Sequence, residues 1–322
     1  MAAITATDKD KPELPSVRKP VRPGRWRPFR KNWDLYLLAI PVLIYFIIFE
    51  YFPMYGLQIA FKNFVASKGI WGSPWVGLVH FERFFDSYYF WRLIENTLGI
   101  GIYELVVGFP LPILLALMIN EVKNGIYRRF VQTVTYAPHF LSTVVLVGLI
   151  FIFLSPQTGI VNQLIKLFGG DPVSFMMSAG WFKTIYVLSG AWQHMGWSSI
   201  IYLAALAGVD QQLHEAARVD GASRIRRIWH INLPGIMPTI VTLLILNVGR
   251  ILSVGFEKVF LMQNQLNMET SDIIATHVYR MGIAGAQYSY STAVGLFNAV
   301  ITFIMLIVVN YLARKVNETS LW

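Results

Sequence analysis

Few side chains in this chain can do chemistry, and most of them fall in two places. The first is Glu215-Ala216-Ala217-Arg218-Val219-Asp220-Gly221-Ala222, running on to Ile231-Asn232-Leu233-Pro234. Charges of both signs, small residues and a turn-forming glycine within eight positions suit docking to another protein rather than bond-making. The second is a scatter of polar residues inside long apolar runs: Glu95, Asn96 and Glu104; Trp192, Gln193, His194 and Trp197; Asn247, Arg250, Ser253, Glu257 and Lys258. Polar groups in such runs are costly and are default candidates for a solute path. Gln193, His194, Asn247 and Arg250 are the candidate substrate contacts. An aromatic-plus-amide cluster such as Trp192-Gln193-His194 suits a sugar, whose apolar faces stack and whose hydroxyls need partners. Arg250, one helical turn from Asn247, can line a wet cavity. Each also has a structural reading: Arg250 in an internal ion pair, Glu104 paired with another span or subunit, Glu257 and Lys258 near an interface.

Other chemistries are excluded. With no cysteine, disulfides, thiolate catalysis and Cys-ligated zinc are out. No Gly-x-x-x-x-Gly-Lys-Ser/Thr loop is present, so the chain itself is not expected to bind or hydrolyse ATP. No His-Glu-x-x-His run or other metal spacing occurs, and His139, His194 and His277 are scattered. No catalytic residue, metal ligand or cofactor of its own is expected.

The elements that must position these residues are membrane helices. Of 322 residues, 55% are hydrophobic and only 14% charged, with a mean hydropathy of +0.50. Soluble domains carry about 25% charged residues. The apolar residues lie in unbroken runs near the ~20 residues a spanning helix needs, and they do not alternate as barrel strands do. The expected fold is all-α and polytopic, with six spans near 35–55, 93–119, 131–154, 182–208, 235–261 and 292–312. Residues 1–34 read as a basic cytoplasmic tail, 35–313 as the transmembrane domain, and 314–322 as a short C-terminal tail. Lys and Arg concentrate on one side: 18 in 1–34, 120–130, 209–234 and 313–322, against five in the opposite loops. The positive-inside rule then makes both termini cytoplasmic. That bias, rather than nucleic-acid binding, explains the net charge of +9. The outer loops hold Trp71, Trp75, Tyr88, Tyr89 and Trp91, suited to the membrane interface, to capping the protein or to an external partner.

In the loop 209–234, Asp210 can cap a helix over 211–219. Gly221 breaks that helix, and Ser223 can cap a second through His230. Pro234 can start the next span, where its missing N–H costs nothing. On these features alone the loop is equally well an ordinary connection with positive flanks. The segment, however, resembles the EAA loop of permease subunits of ATP-binding-cassette importers. The matching positions are Glu215, Ala216, Ala217, Gly221, Ile231, Leu233 and Pro234, at the family spacing, with Asp220, Ala222 and Ser223 in the common form. Ile225 and Ile228 stand where aromatic residues are frequent, a mild departure. The resemblance covers roughly 35–320 and implies a type I importer permease fold. It implies a bacterial inner-membrane location, a second permease subunit, two ATPase subunits that hold ATP and Mg, an external solute-binding protein, and surrounding lipid. By the same resemblance Glu215 and Arg218 contact the ATPase, Ala216 and Ala217 allow close approach, and Gly221 sets the turn. Asp220 is either a further contact or a local helix cap.

The texture around Tyr55-Gly56-Leu57-Gln58-Ile59-Ala60-Phe61 and Tyr136-Ala137-Pro138 is similar to the carbohydrate-uptake branch, and within it to alginate and oligosaccharide permeases. An acidic oligosaccharide fits Arg250. A neutral oligosaccharide or other small solute is the alternative, and an ion-coupled secondary transporter a more distant one.

Overall fold

The structure, a computed structural model, describes residues 33–317. Most of the two expected tails, 1–32 and 318–322, lies outside the described residues. The chain divides into two units, 1–56 and 57–322. The first holds α1 (Trp33–Phe46), followed by a π-turn (Ile47–Tyr51), and neither element buries a residue. The helical run Trp33–Phe61 is long and apolar enough to cross a membrane.

The second unit is built from helices, and no strand occurs among the described residues beyond one isolated bridge, Lys62 with Trp75. Short α2 (Val79–Phe85) precedes α3 (Phe90–Gly108) and α4 (Pro110–Asn120). These two form one span, Phe90–Asn120. Next come α5 (Gly125–Tyr136) and α6 (Thr143–Phe153), then α7 (Ile160–Leu167) and the long α8 (Ala179–Ala207). α9 (Gln211–Val219) and α10 (Arg224–Arg227) form the polar loop. α11 (Met237–Val248), α12 (Phe256–Met262), α13 (Ile274–Tyr279) and α14 (Tyr288–Asn317) complete the chain.

Among the described residues three helices are long and apolar enough to span, at 33–61, 90–120 and 288–312; two bent pairs raise the number to five. α8 is long enough at 29 residues, but Lys183, Ser189, Gln193, His194, Ser198 and Ser199 dilute its apolarity. Its position explains this. It packs against α3, α4, α5 and α11, and a helix enclosed by protein need not be apolar all round.

Two of the expected spans are broken. The third run is not continuous: Gly125–Phe140 meets Thr143–Phe153 at 104°. Pro138 and Ser142 explain the break, since Pro removes a donor and the Ser142 hydroxyl caps α6 by accepting from the Val145 N–H at 3.3 Å. The fifth run bends by 62° at Ile236 and then unwinds over 249–255, between α11 and α12. Pro234 accordingly lies within a helical run ending at Gly235 rather than opening a new span.

Three apolar clusters hold the second unit together. One joins Ile100, Leu146, Phe182, Val187 and Val259; another joins Ile113, Leu117, Leu206 and Ile236; a third joins Phe84, Leu93, Ile274 and Val294.

Candidate functional site

The loop between α8 and α11 is specified locally. Asp210 sits in extended geometry and its Oδ1 accepts from the Gln212 N–H at 2.9 Å, satisfying a donor at the start of α9. α9 ends in a Schellman arrangement: the Ala222 N–H donates to the Ala217 carbonyl at 2.8 Å and the Gly221 N–H to the Arg218 carbonyl at 3.1 Å. Gly221 has φ +71, and a Cβ there would meet nothing within 4 Å. The glycine is therefore needed for its backbone conformation and not for space. Ser223 caps α10 by accepting from the Arg226 N–H at 3.3 Å, and Arg227 Nη1 braces the turn on the Ala222 carbonyl at 3.0 Å.

The motif's side chains are turned outward. Neither α9 nor α10 buries any residue. Glu215, Ala216, Arg218, Asp220 and Gly221 are exposed and Ala217 half-buried, alongside Leu213 and Val219, the latter 88% exposed. Asp220 stands at the C-terminal end of α9, where the helix dipole disfavours a carboxylate. The caps are Asp210 and Ser223, and the Asp220 side chain makes no hydrogen bond among the described residues. Local stability thus gives Asp220 no reason to be there.

The second place is a cavity of about 660 Å³ walled by α3, α4, α8, α11 and the unwound segment, within the size range of small-molecule sites. His194, Asn247 and Arg250 line it, with Glu104, Trp197 and Ser253. Gln193 does not. It is buried outside the cavity lining, and its Nε2 donates to the Leu141 carbonyl at 2.9 Å, satisfying backbone freed at the break before α6. Asn247 Nδ2 donates to the Leu243 carbonyl one turn back at 2.8 Å. His194 Nδ1 lies 3.2 Å from His139 Nδ1, and the His139 ring stacks on Trp197 at 4.6 Å.

Arg250 lies on the unwound segment, exposed to the cavity. It has no ion-pair or hydrogen-bond partner for its side chain among the described residues, whose two ion pairs both involve Asp272. Non-helical backbone at membrane depth is tolerated where it is buried in protein or lines a cavity. Here the freed Gly255 N–H donates to the Tyr186 hydroxyl at 3.2 Å, and Lys258 Nζ donates to the Tyr186 carbonyl at 2.7 Å. Gly101 on α3 seats the segment: a Cβ there would lie 2.2 Å from the Ile251 carbonyl oxygen.

Sequence reasoning missed one polar network. Asp272, fully buried, accepts from Arg280 at 2.8 Å and Arg92 at 3.2 Å, and its Oδ1 accepts from the Thr276 hydroxyl at 3.1 Å. Asn96, flagged only as polar, donates to the carbonyls of Glu269 and Asp272. His277 lies beside them, with Nε2 3.2 Å from the Tyr290 hydroxyl. Burial pushes its pKa down to about 4; Asp272 opposes that shift, while Arg280 and Arg92 add to it. His277 is therefore neutral near pH 7. This network joins the start of α3 to the 262–288 segment and is structural. Among the described residues no three His, Cys, Asp or Glu side chains gather as metal ligands.

Residues 108–318 match the family model described as binding-protein-dependent transport system inner membrane component. Protein LplB of Bacillus subtilis (strain 168) is 47% identical over 293 residues, covering 91% of this chain and 92% of that protein. The polygalacturonan/rhamnogalacturonan transport system permease protein YteP of the same organism is 47% identical over 288 residues, covering 89% and 90%. A chain in the crystal structure of a bacterial ABC transporter involved in the import of the acidic polysaccharide alginate superposes with a TM-score of 0.84 at 44% identity. That match covers 91% of this chain and 99% of the other. A second structure of a bacterial alginate ABC transporter, in complex with alginate pentasaccharide-bound periplasmic protein, gives a TM-score of 0.85 at 43% identity, covering 92% and 99%.

Proposed function

The chain belongs to the binding-protein-dependent transport system inner membrane components, and from that premise we propose that it is the permease subunit of an importer that carries an acidic oligosaccharide. It is a non-catalytic transport component of the sugar-uptake type, so its residues bind, orient and move a solute without changing a bond. Counting α8 with the five apolar spans gives six, and the clustering of Lys and Arg on one side supports cytoplasmic termini. The loop 209–234 then faces the cytoplasm.

The observation that carries the substrate reading is Arg250. A guanidinium without a partner among the described residues, held in a cavity on a non-helical segment seated against Gly101, is a standing site for an anion. Carboxylate-bearing sugars supply one, and the alginate importer's substrate is such a polymer. Trp197 and His194 offer aromatic and polar surface to the sugar ring. Glu104 on the same wall favours the alternative, a neutral oligosaccharide held by hydroxyl contacts.

Glu215, Arg218 and Asp220 are the polar contacts to an ATPase subunit on this reading. Ala216 and Ala217 allow close approach, and Gly221 fixes the turn. The full assembly comprises a second permease subunit, two ATPases holding ATP and Mg, and an external solute-binding protein.

Two variants test the two halves of the reading. Arg250→Ala is expected to lower uptake of uronate oligosaccharides at least tenfold and of neutral ones no more than twofold. Equal losses would return Arg250 to a structural role. Glu215→Lys is expected to insert normally but lose the ATPase in a mild-detergent pull-down from the native membrane. An ATPase that stays bound, with normal uptake, rules out the docking role.

A further inference from the structure

The loop meets the membrane domain through an unusual joint. α10 runs into a π-turn over Ile228–Asn232, and the helical run bends by 62° at Ile236 before α11. π-turns within helices cost hydrogen-bond geometry and recur at functional positions. Asn232 ends this one. Its neighbours one turn away on either side, Ile228 and Ile236, both pack in the apolar cluster with Leu206, Val209 and Leu233. Gly235 lies so close to Val209 that a Cβ would come within 2.8 Å of its methyl carbon. Asn232 is 1% exposed, and neither its Nδ2 nor its Oδ1 has a hydrogen-bond partner among the described residues.

Other buried asparagines show what is missing. Asn96 donates to two carbonyls; Asn162 donates to three and accepts one N–H; Asn267 holds the Met176 and Met262 carbonyls. A buried amide with no partner opposes folding, and a leucine of similar size would suit the site better. The side chain is therefore mismatched to the conformation in which it sits. It is also at the joint through which the loop must act on α11. Relief of the π-turn to regular helix shifts the register by one residue, a rise of about 1.5 Å and a rotation of about 100°. That shift re-aims Asn232 relative to the cluster.

We propose that Asn232 is a positioning residue for coupling, unpaired in this conformation and hydrogen-bonded in the other end state of the transport cycle, once the π-turn is relieved. Its amide then weights the equilibrium between the two states. The inference rests on the reading of 209–234 as the segment that transmits ATPase motion.

The test uses the complete complex, purified from its own membrane and reconstituted in vesicles. Asn232→Leu is expected to keep its ATPase subunits and to melt at the same or a higher temperature. Sugar moved per ATP hydrolysed should fall at least tenfold, and Asn232→Thr should recover at least half of it. A lower melting temperature for Asn232→Leu would mean that the amide is paired in this state, and full coupling by that variant would mean that the amide is idle. Either result overturns the proposal. An unmutated complex that carries no ATPase removes the coupling reading first, and this inference with it.

Discussion

Among the described residues, the two bent helix pairs, at 104° and 62°, leave their polar groups in different situations. At the 104° break between α5 and α6, partners are supplied from α8. Gln193 holds the Leu141 carbonyl, and His139 meets His194 and stacks on Trp197. Gly196 of α8 lies so close that a Cβ would sit 2.0 Å from the Thr135 carbonyl oxygen. At the 62° bend before α11, the side-chain amide of Asn232 has no hydrogen-bond partner among the described residues. The first break is fastened to its neighbour by side-chain hydrogen bonds, and the second, among the described residues, is held by apolar packing alone.

Substitutions at the fastened break sharpen this contrast. The largest effect is expected from Gly196→Val. Its branched side chain must displace α5 backbone, an overpacking cost of about 1–3 kcal/mol or more, and the obstacle is a carbonyl that cannot swing aside. Folded, monodisperse protein should be largely lost, as read by fluorescence-detected gel filtration. Near-normal yield would show that α5 is free to slide on α8. Gln193→Leu comes next. It strands the Leu141 carbonyl and should cost about 1–3 kcal/mol, read as a lower melting temperature with sugar selectivity unchanged. Altered selectivity without destabilisation would place Gln193 on the solute path after all.

How legible these features were in the sequence depends on their range. The loop was readable because its determinants are neighbours: Asp210 and Ser223 cap within three residues, and Gly221 serves a turn closed by Ala217 and Arg218. Polar residues within apolar runs pointed to His194, Asn247 and Arg250, which the fold does bring to one cavity. Gln193 shows the limit of that signal. Adjacent helix residues point about 100° apart, and which face looks into the cavity depends on how α8 is rotated against its neighbours. The unwinding of 249–255 had local hints in Gly249 and Gly255. What stabilises it is distant: the Tyr186 hydroxyl and the bare backbone at Gly101. The Asp272 network is more remote still, since Arg92 lies 180 positions away and no periodicity links the two.

The outward-turned apolar residues of α9 bear on the life of the chain before assembly. Among the described residues, Leu213 is left 55% exposed and Val219 88% exposed. On the orientation proposed, a freshly inserted chain holds them in cytoplasmic water. Exposed apolar groups on a short, marginally stable helix invite proteases and stray association. Docking would shield the same residues, so the lifetime of each permease would be set by the supply of its partner. Surplus chains would be cleared, and stoichiometry would be kept without a separate counting device.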